Sequence, residues 1–118
     1  MSAVPRDGLT HLRVTLSEDA YIGPGRADLL ELIAETGSIS AAGKRMGMSY
    51  KRAWDLVKAL NTGFGILVET SRGGAEQGGA RLTPKGEEVL RRYRSMQAQT
   101  RAAIAEDVGA LRALLPES

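Results

Sequence analysis

The chain has 118 residues, 42% hydrophobic and 25% charged, with a formal net charge of +2, which bounds it to one folded domain with a modest core. It has no cysteine and its one histidine is His11, so disulfides, thiolate metal sites, cysteine nucleophiles and histidine metal clusters are excluded. Arg6 and Asp7 interrupt the amino terminus, and no stretch reaches the roughly 18 apolar residues that a membrane helix needs. A soluble, cytoplasmic protein with no membrane partner is the expectation.

Residues 1–8 are expected to be loose. Residues 9–16 alternate around Leu12, Val14 and Leu16, with Arg13 and Thr15 between them, the period of two of a half-buried strand. Tyr21-Ile22 can return as a second strand, ended by Gly23-Pro24-Gly25 because Pro24 cannot donate to a ladder. The first helix is predicted to begin near Arg26, with Leu29, Leu30, Leu32 and Ile33 at helical spacing and Gly37 ending it in a left-handed turn.

A second helix is predicted from Ser38 or Ser40, either of which can cap it, to about Met46. Gly47 supplies a tight turn, and Ser49 caps a third helix reaching about Asn61. Ala41 and Ala42 are small enough to let these two helices approach. In the third helix Ala53, Val57 and Leu60 form the core stripe, with Trp54 as a core anchor beside it, and Met46 and Met48 fill the core at the turn. The opposite face carries Lys51, Arg52, Asp55 and Lys58.

Ile66 to Thr70 reads as a strand, SRGGAEQGGA as a loop and Arg81-Leu82-Thr83 as a second strand. The loop Gly73–Gly79 lacks the Gly-Lys-Ser/Thr ending of a phosphate cradle, so strand, loop and strand together form a wing. Thr83 can cap a last helix with Pro84 at its first position and Glu87 and Glu88 near the positive end of its dipole. That helix is long. Leu90, Tyr93, Thr100, Ile104, Val108, Leu111 and Leu115 make an apolar stripe with a gap near Gln97, and Gly109 is a place to bend or break it. The predicted fold is mainly α with small β, a winged helix-turn-helix with a long C-terminal helix. Residues 1–25 form an arm with short strands, 26–83 the winged helix-turn-helix, and 84–115 a dimerisation helix.

Residues 38–61 hold Lys44, Arg45, Lys51, Arg52 and Lys58 against Asp55 alone, a concentration of basic charge that suits a phosphate-facing surface. A helix-turn-helix reads DNA by placing its second helix in the major groove, where N-terminal side chains meet base edges. Arg52 can contact guanine bidentately and Tyr50 can pack on sugar or a thymine methyl, while Lys44, Lys51 and Lys58 suit phosphate. Ser38, Ser40, Ser49 and Asp55 complete the helical candidates, with Arg72 and Arg81 in the wing. Glu76 in that wing repels phosphate. The scattered carboxylates have no His, Cys or glycine motif to complement them, so no catalytic residues and no enzyme activity are expected.

The run GSISAAGKRMGMSYKRAWDLVKALN resembles the amino-terminal DNA-binding domain of the ModE molybdate-responsive regulators, with SYKRAWD its most specific part. LVETSRGGAEQGGARLTPKGEEVLRRY resembles that family's wing and the start of its next helix, so the likeness covers roughly residues 26 to 96. SISAA and the LT-x-x-G turn at Leu82 to Gly86 give a more distant resemblance to LysR-type proteins, whose serine-glutamine-proline start is replaced by Ser49-Tyr50-Lys51. The resemblance implies a sequence-specific transcriptional regulator on double-stranded DNA, and the extended apolar stripe of the last helix predicts a homodimer on a pseudo-palindromic site. ModE proteins sense molybdate in separate C-terminal barrels, for which 118 residues leave no room, so no cofactor is carried over. The alternative is a winged-helix module that binds a protein partner or acts as an architectural DNA-binding protein.

Overall fold

The computed structural model describes residues 7–71 and 79–117. In chain order it contains β1 (Val14–Thr15), β2 (Tyr21–Ile22), α1 (Pro24–Thr36), α2 (Ile39–Arg45), α3 (Tyr50–Phe64), β3 (Val68–Ser71), β4 (Gly79–Leu82) and α4 (Pro84–Ala113). β1 pairs antiparallel with β2, and β3 with β4, in two separate sheets. This is a winged helix-turn-helix, mainly α with small β, carrying a long last helix.

The core lies between α1, α3, the wing base and α4. Leu29, Leu30 and Ile33 from α1 are fully enclosed together with Val57 and Leu60 from α3, Leu67 before the wing, and Tyr93 from α4. Leu32 is only partly buried at the edge of this cluster.

The amino-terminal segment departs from the simple strand expected over residues 9–16. Only Val14–Thr15 joins the ladder, because the Leu12 carbonyl accepts instead from the Tyr93 hydroxyl at 2.7 Å. Leu16 is 65% exposed where the chain turns back, its N–H bonded to the Ala20 carbonyl at 2.8 Å. Asp7 and Gly8, expected to be loose, lie against α4. Asp7 pairs with Arg101 at 2.8 Å, and Gly8 packs so near Val108 that a Cβ there would come within 3.2 Å. The first helix starts at Pro24 rather than near Arg26, since proline at the first helical position has no N–H to leave unsatisfied. Arg26 and Arg13 stack on opposite sides of this corner, each guanidinium 3.7 Å from the Tyr21 ring centroid.

α3 runs on past Asn61 to Phe64. Asn61 does not end the helix; its side chain ties the helix to the wing. Its Oδ1 accepts from the N–H groups of Leu67 (2.8 Å) and Val68 (3.1 Å), and its Nδ2 donates to the Val68 carbonyl at 3.1 Å. These bonds hold Leu67 and Val68 at the entry to the wing, and β3 begins at Val68 and not at Ile66. Thr83 is not a strand residue but the N-cap of α4, accepting from Gly86 N–H at 3.0 Å and donating to the Ile66 carbonyl at 2.8 Å.

α4 is unbroken through Gly109, where a Cβ would meet nothing within 4 Å. The gap in its apolar stripe is filled by Gln97, 8% exposed. Gln97 donates to the Tyr93 hydroxyl at 3.4 Å and accepts from Arg94 at 2.9 Å. Arg94 also reaches Asp28 at 2.8 Å and Glu31 at 2.7 Å, locking α4 to α1. Burial pushes the Tyr93 phenol above its ordinary pKa, which keeps it a donor to Leu12. Burial alone would lower that of Arg94, but its hydrogen bonds to Asp28 and Glu31 outweigh this and raise it. Past Val108 the stripe emerges, with Leu111 63%, Leu114 78% and Leu115 66% exposed. The radius of gyration is 17.0 Å, against roughly 13 Å for a compact domain of this size, because α4 projects.

The LT-x-x-G turn has a steric cause. A Cβ on Gly86 would lie 2.3 Å from the Leu67 carbonyl oxygen, so only glycine lets α4 seat on the entry to the wing. Gly86→Ala is therefore expected to destabilise the fold by about 1–3 kcal/mol in urea denaturation, despite alanine's better helix propensity; an unchanged midpoint would contradict this.

Candidate nucleic-acid interface

The helix pair α2–α3 is built by caps and one close contact. Ser38, not Ser40, caps α2, its hydroxyl accepting from Ala41 N–H at 3.0 Å. Thr36 braces the entry from α1: its hydroxyl donates to the Leu32 carbonyl at 2.7 Å and accepts from Ser38 N–H at 3.2 Å. α2 ends in a Schellman turn. Gly47 has φ +72°, its N–H reaches the Lys44 carbonyl, and Met48 N–H reaches the Gly43 carbonyl, both at 3.0 Å. Ser49 then caps α3, accepting from Arg52 N–H at 3.1 Å.

The closest approach of the two helices is made by Gly43, where a Cβ would fall 2.8 Å from the Ala53 Cβ. The expected pair contributes less, since Ala42 is buried but Ala41 only partly so. No local pattern points to this role of Gly43, since a glycine inside a helix reads as a helix weakener and Ala53 belongs to the next helix.

Ala53, Val57 and Leu60 face inward and are buried. The i, i+4, i+7 spacing then sets Lys51, Asp55 and Lys58 on the outward side, and all are exposed, as are Arg52 and Lys44. Ser40 and Ser49 are exposed too, while Ser38 is partly buried under its own cap. Tyr50 is 57% exposed and rests edge-on against Trp54, ring centroids 6.2 Å apart at 78°. Trp54 packs against the core but stays half-buried, less enclosed than the anchor expected.

The cations differ in how they are held. Lys51 pairs with Asp55 at 3.0 Å and Arg45 with Glu35 at 3.6 Å. In the wing Arg81 pairs with Glu69 at 3.1 Å, directly across the ladder. Lys44, Arg52 and Lys58 have no ion-pair partner among the described residues. Arg72 and Glu76 lie outside the described residues. The first turn of α3 holds Lys51 and Arg52 and no acidic residue, which puts positive side chains at the positive end of the helix dipole. An anion docked there would relieve that repulsion.

Residues 26–87, just over half of the chain, match the bacterial regulatory helix-turn-helix proteins of the lysR family. The molybdenum-pterin-binding protein MopB of Rhodobacter capsulatus is 46% identical over 80 residues, covering 67% of this chain and 30% of its own length. The DNA-binding transcriptional dual regulator ModE of Escherichia coli is 41% identical over 83 residues, covering 70% of this chain and 32% of its own. The molybdenum transport protein ModE of Herbaspirillum seropedicae is 47% identical over 98 residues, 82% and 36% of the two chains. The helix-turn-helix is thus ModE-like, and the chain spans about a third of the length of the curated relatives it matches. Among the described residues no helix is long and apolar enough to cross a membrane.

The approach at Gly43 fixes the angle at which α3 leaves α2. Gly43→Val is expected to wedge the pair apart and to cost about 2 kcal/mol or more in stability, read as a lower urea midpoint. A variant as stable as the parent would show that Gly43 does not set the spacing.

Proposed function

This chain belongs to the bacterial regulatory helix-turn-helix proteins of the lysR family, and from that membership we propose that it is a cytoplasmic, sequence-specific DNA-binding transcriptional regulator. α3 enters the major groove, with its first turn toward the base edges. One observation carries the reading: on the exposed surface of α2 and α3, Lys44, Arg52 and Lys58 have no ion-pair partner among the described residues, and phosphate supplies one. Arg52 reads a guanine, Tyr50 packs on a sugar or a thymine methyl, and Lys44 and Lys58 hold phosphates. Ser38, Ser40 and Ser49 lie at the starts of the two helices, where the backbone meets the phosphate chain. Arg81 exchanges Glu69 for phosphate at the wing, and Arg72, next after β3 in the sequence, is proposed as a further phosphate contact.

We propose further that α4 is the dimerisation element. Leu111 on α4, with Leu114 and Leu115 just past its end at Ala113, is left exposed where the helix projects beyond its own domain, and a second copy would cover all three and present two α3 helices to a pseudo-palindromic site. Sedimentation at tens of micromolar is expected to give a dimer, and Leu111→Glu combined with Leu115→Glu a monomer. A parent chain that stays monomeric would sink the dimer.

DNA reading is tested by selecting bound sequences from random duplexes at two salt concentrations. A two-fold-related motif is expected, with affinity falling at a log-log slope of about −0.9 for each phosphate contact. Lys58→Ala should weaken cognate and random duplexes alike. Arg52→Ala should cost about 1–3 kcal/mol on the cognate site and relax preference at one base pair. Equal loss on both duplexes would refute base reading by Arg52, and salt-sensitive binding with no motif would favour an architectural role.

A further inference from the structure

Asp55 is the only carboxylate between residues 38 and 61, and it stands on the outward side of α3 between Lys51 and Lys58. Its Oδ2 lies 3.0 Å from the Lys51 ammonium, with side chains 54% and 84% exposed. Stability does not account for it. An exposed pair of this kind contributes little once solvent screens it. Its order along the helix, with the cation on the N-terminal side, is the weaker of the two and runs against the dipole. Toward DNA a carboxylate is worse than neutral, because it repels phosphate and offers no donor.

We infer that Asp55, through its pair with Lys51, is a specificity-determining residue that penalises duplexes lacking a cytosine amino group opposite it in the major groove. This rests on the proposed reading of DNA by α3. When the helix enters the groove, Lys51 is drawn toward phosphate and Asp55 loses its partner as water leaves. A carboxylate in that position can only accept, and the cytosine N4 amino group is the donor that fits it. On a duplex without that donor there are two outcomes. Either the carboxylate is desolvated with nothing bonded to it, or Lys51 stays with Asp55 and one phosphate contact is not made. Both outcomes weaken the wrong sequence and leave the right one untouched, which is how a repulsive group sharpens discrimination. Arg52 and Lys58 stand three residues to either side of Asp55 but form no ion pair among the described residues, so their attraction does not wait on the opening of the Lys51–Asp55 pair.

The test compares the full chain with Asp55→Ala on three kinds of duplex at two salt concentrations. One is the sequence selected by the parent, the second the same with each C·G pair changed in turn, and the third of random sequence. Asp55 is exposed and alanine is the best helix former, so the variant is expected to melt with the parent. It should bind random DNA more tightly, with a salt slope steeper by about 0.9 as Lys51 is freed for a phosphate. Its preference for the selected sequence should fall by roughly 5- to 100-fold, lost at one C·G pair. If the parent discriminates and Asp55→Ala keeps the same ratio and slope, this inference is overturned while DNA reading stands. If the parent itself shows no preference, both are overturned together.

Discussion

The backbone at Leu67 is held from three directions, and the relation of the helix pair to the wing follows from that. Asn61 of α3 accepts its N–H at 2.8 Å, Thr83 N–H donates to its carbonyl at 2.9 Å, and Gly86 leaves room for that carbonyl against α4. One residue thus joins α3, the base of the wing and the start of the long helix. None of these bonds needs a large core. In a domain whose main cluster rests on leucines, isoleucines, one tyrosine and smaller aliphatic residues, polar clamps of this kind fix geometry that apolar packing alone leaves adjustable. Gly37 ties the wing from the other side, its carbonyl accepting from Ala80 N–H at 2.9 Å.

That rigid frame supports a surface arranged against its own stability. Cations in the first turn of a helix typically cost a few tenths of a kcal/mol each, up to about 1 kcal/mol. α3 places Lys51 and Arg52 there and is capped by the neutral Ser49 rather than by an aspartate. α4 carries both Lys85 and Glu87 in its first turn and Arg112 in its last, so its C-terminal end has the charge that the dipole favours.

What could be read from the sequence was what depends on near neighbours along the chain. The caps Ser38, Ser49 and Thr83, the turn at Gly47, Pro84 at the first position of α4 and the inward stripe Ala53, Val57, Leu60 are local patterns, and each occupies the place expected of it. What escaped depends on contacts between distant residues. The roles of Gly43 against Ala53, Gly86 against Leu67 and Asn61 against β3 appear only once the elements are assembled. The same holds for Gln97, whose polar side chain breaks the apolar stripe on paper but is satisfied by Tyr93 and Arg94. The first strand was overextended because alternation describes where side chains point and not which carbonyl the Tyr93 hydroxyl captures. At the outward surface, residue types marked the basic segment correctly, but not which cations already had partners.

Trp54 has a practical consequence. It is the only tryptophan in the chain, half-buried, with one edge toward the core and Tyr50 against it on the outward side. Its indole is thus the sole long-wavelength fluorophore, placed where core and solvent meet on the helix that matters most. Emission from this one ring reports the solvent boundary of α3 without any attached label, and the same signal follows loss of packing when the domain unfolds.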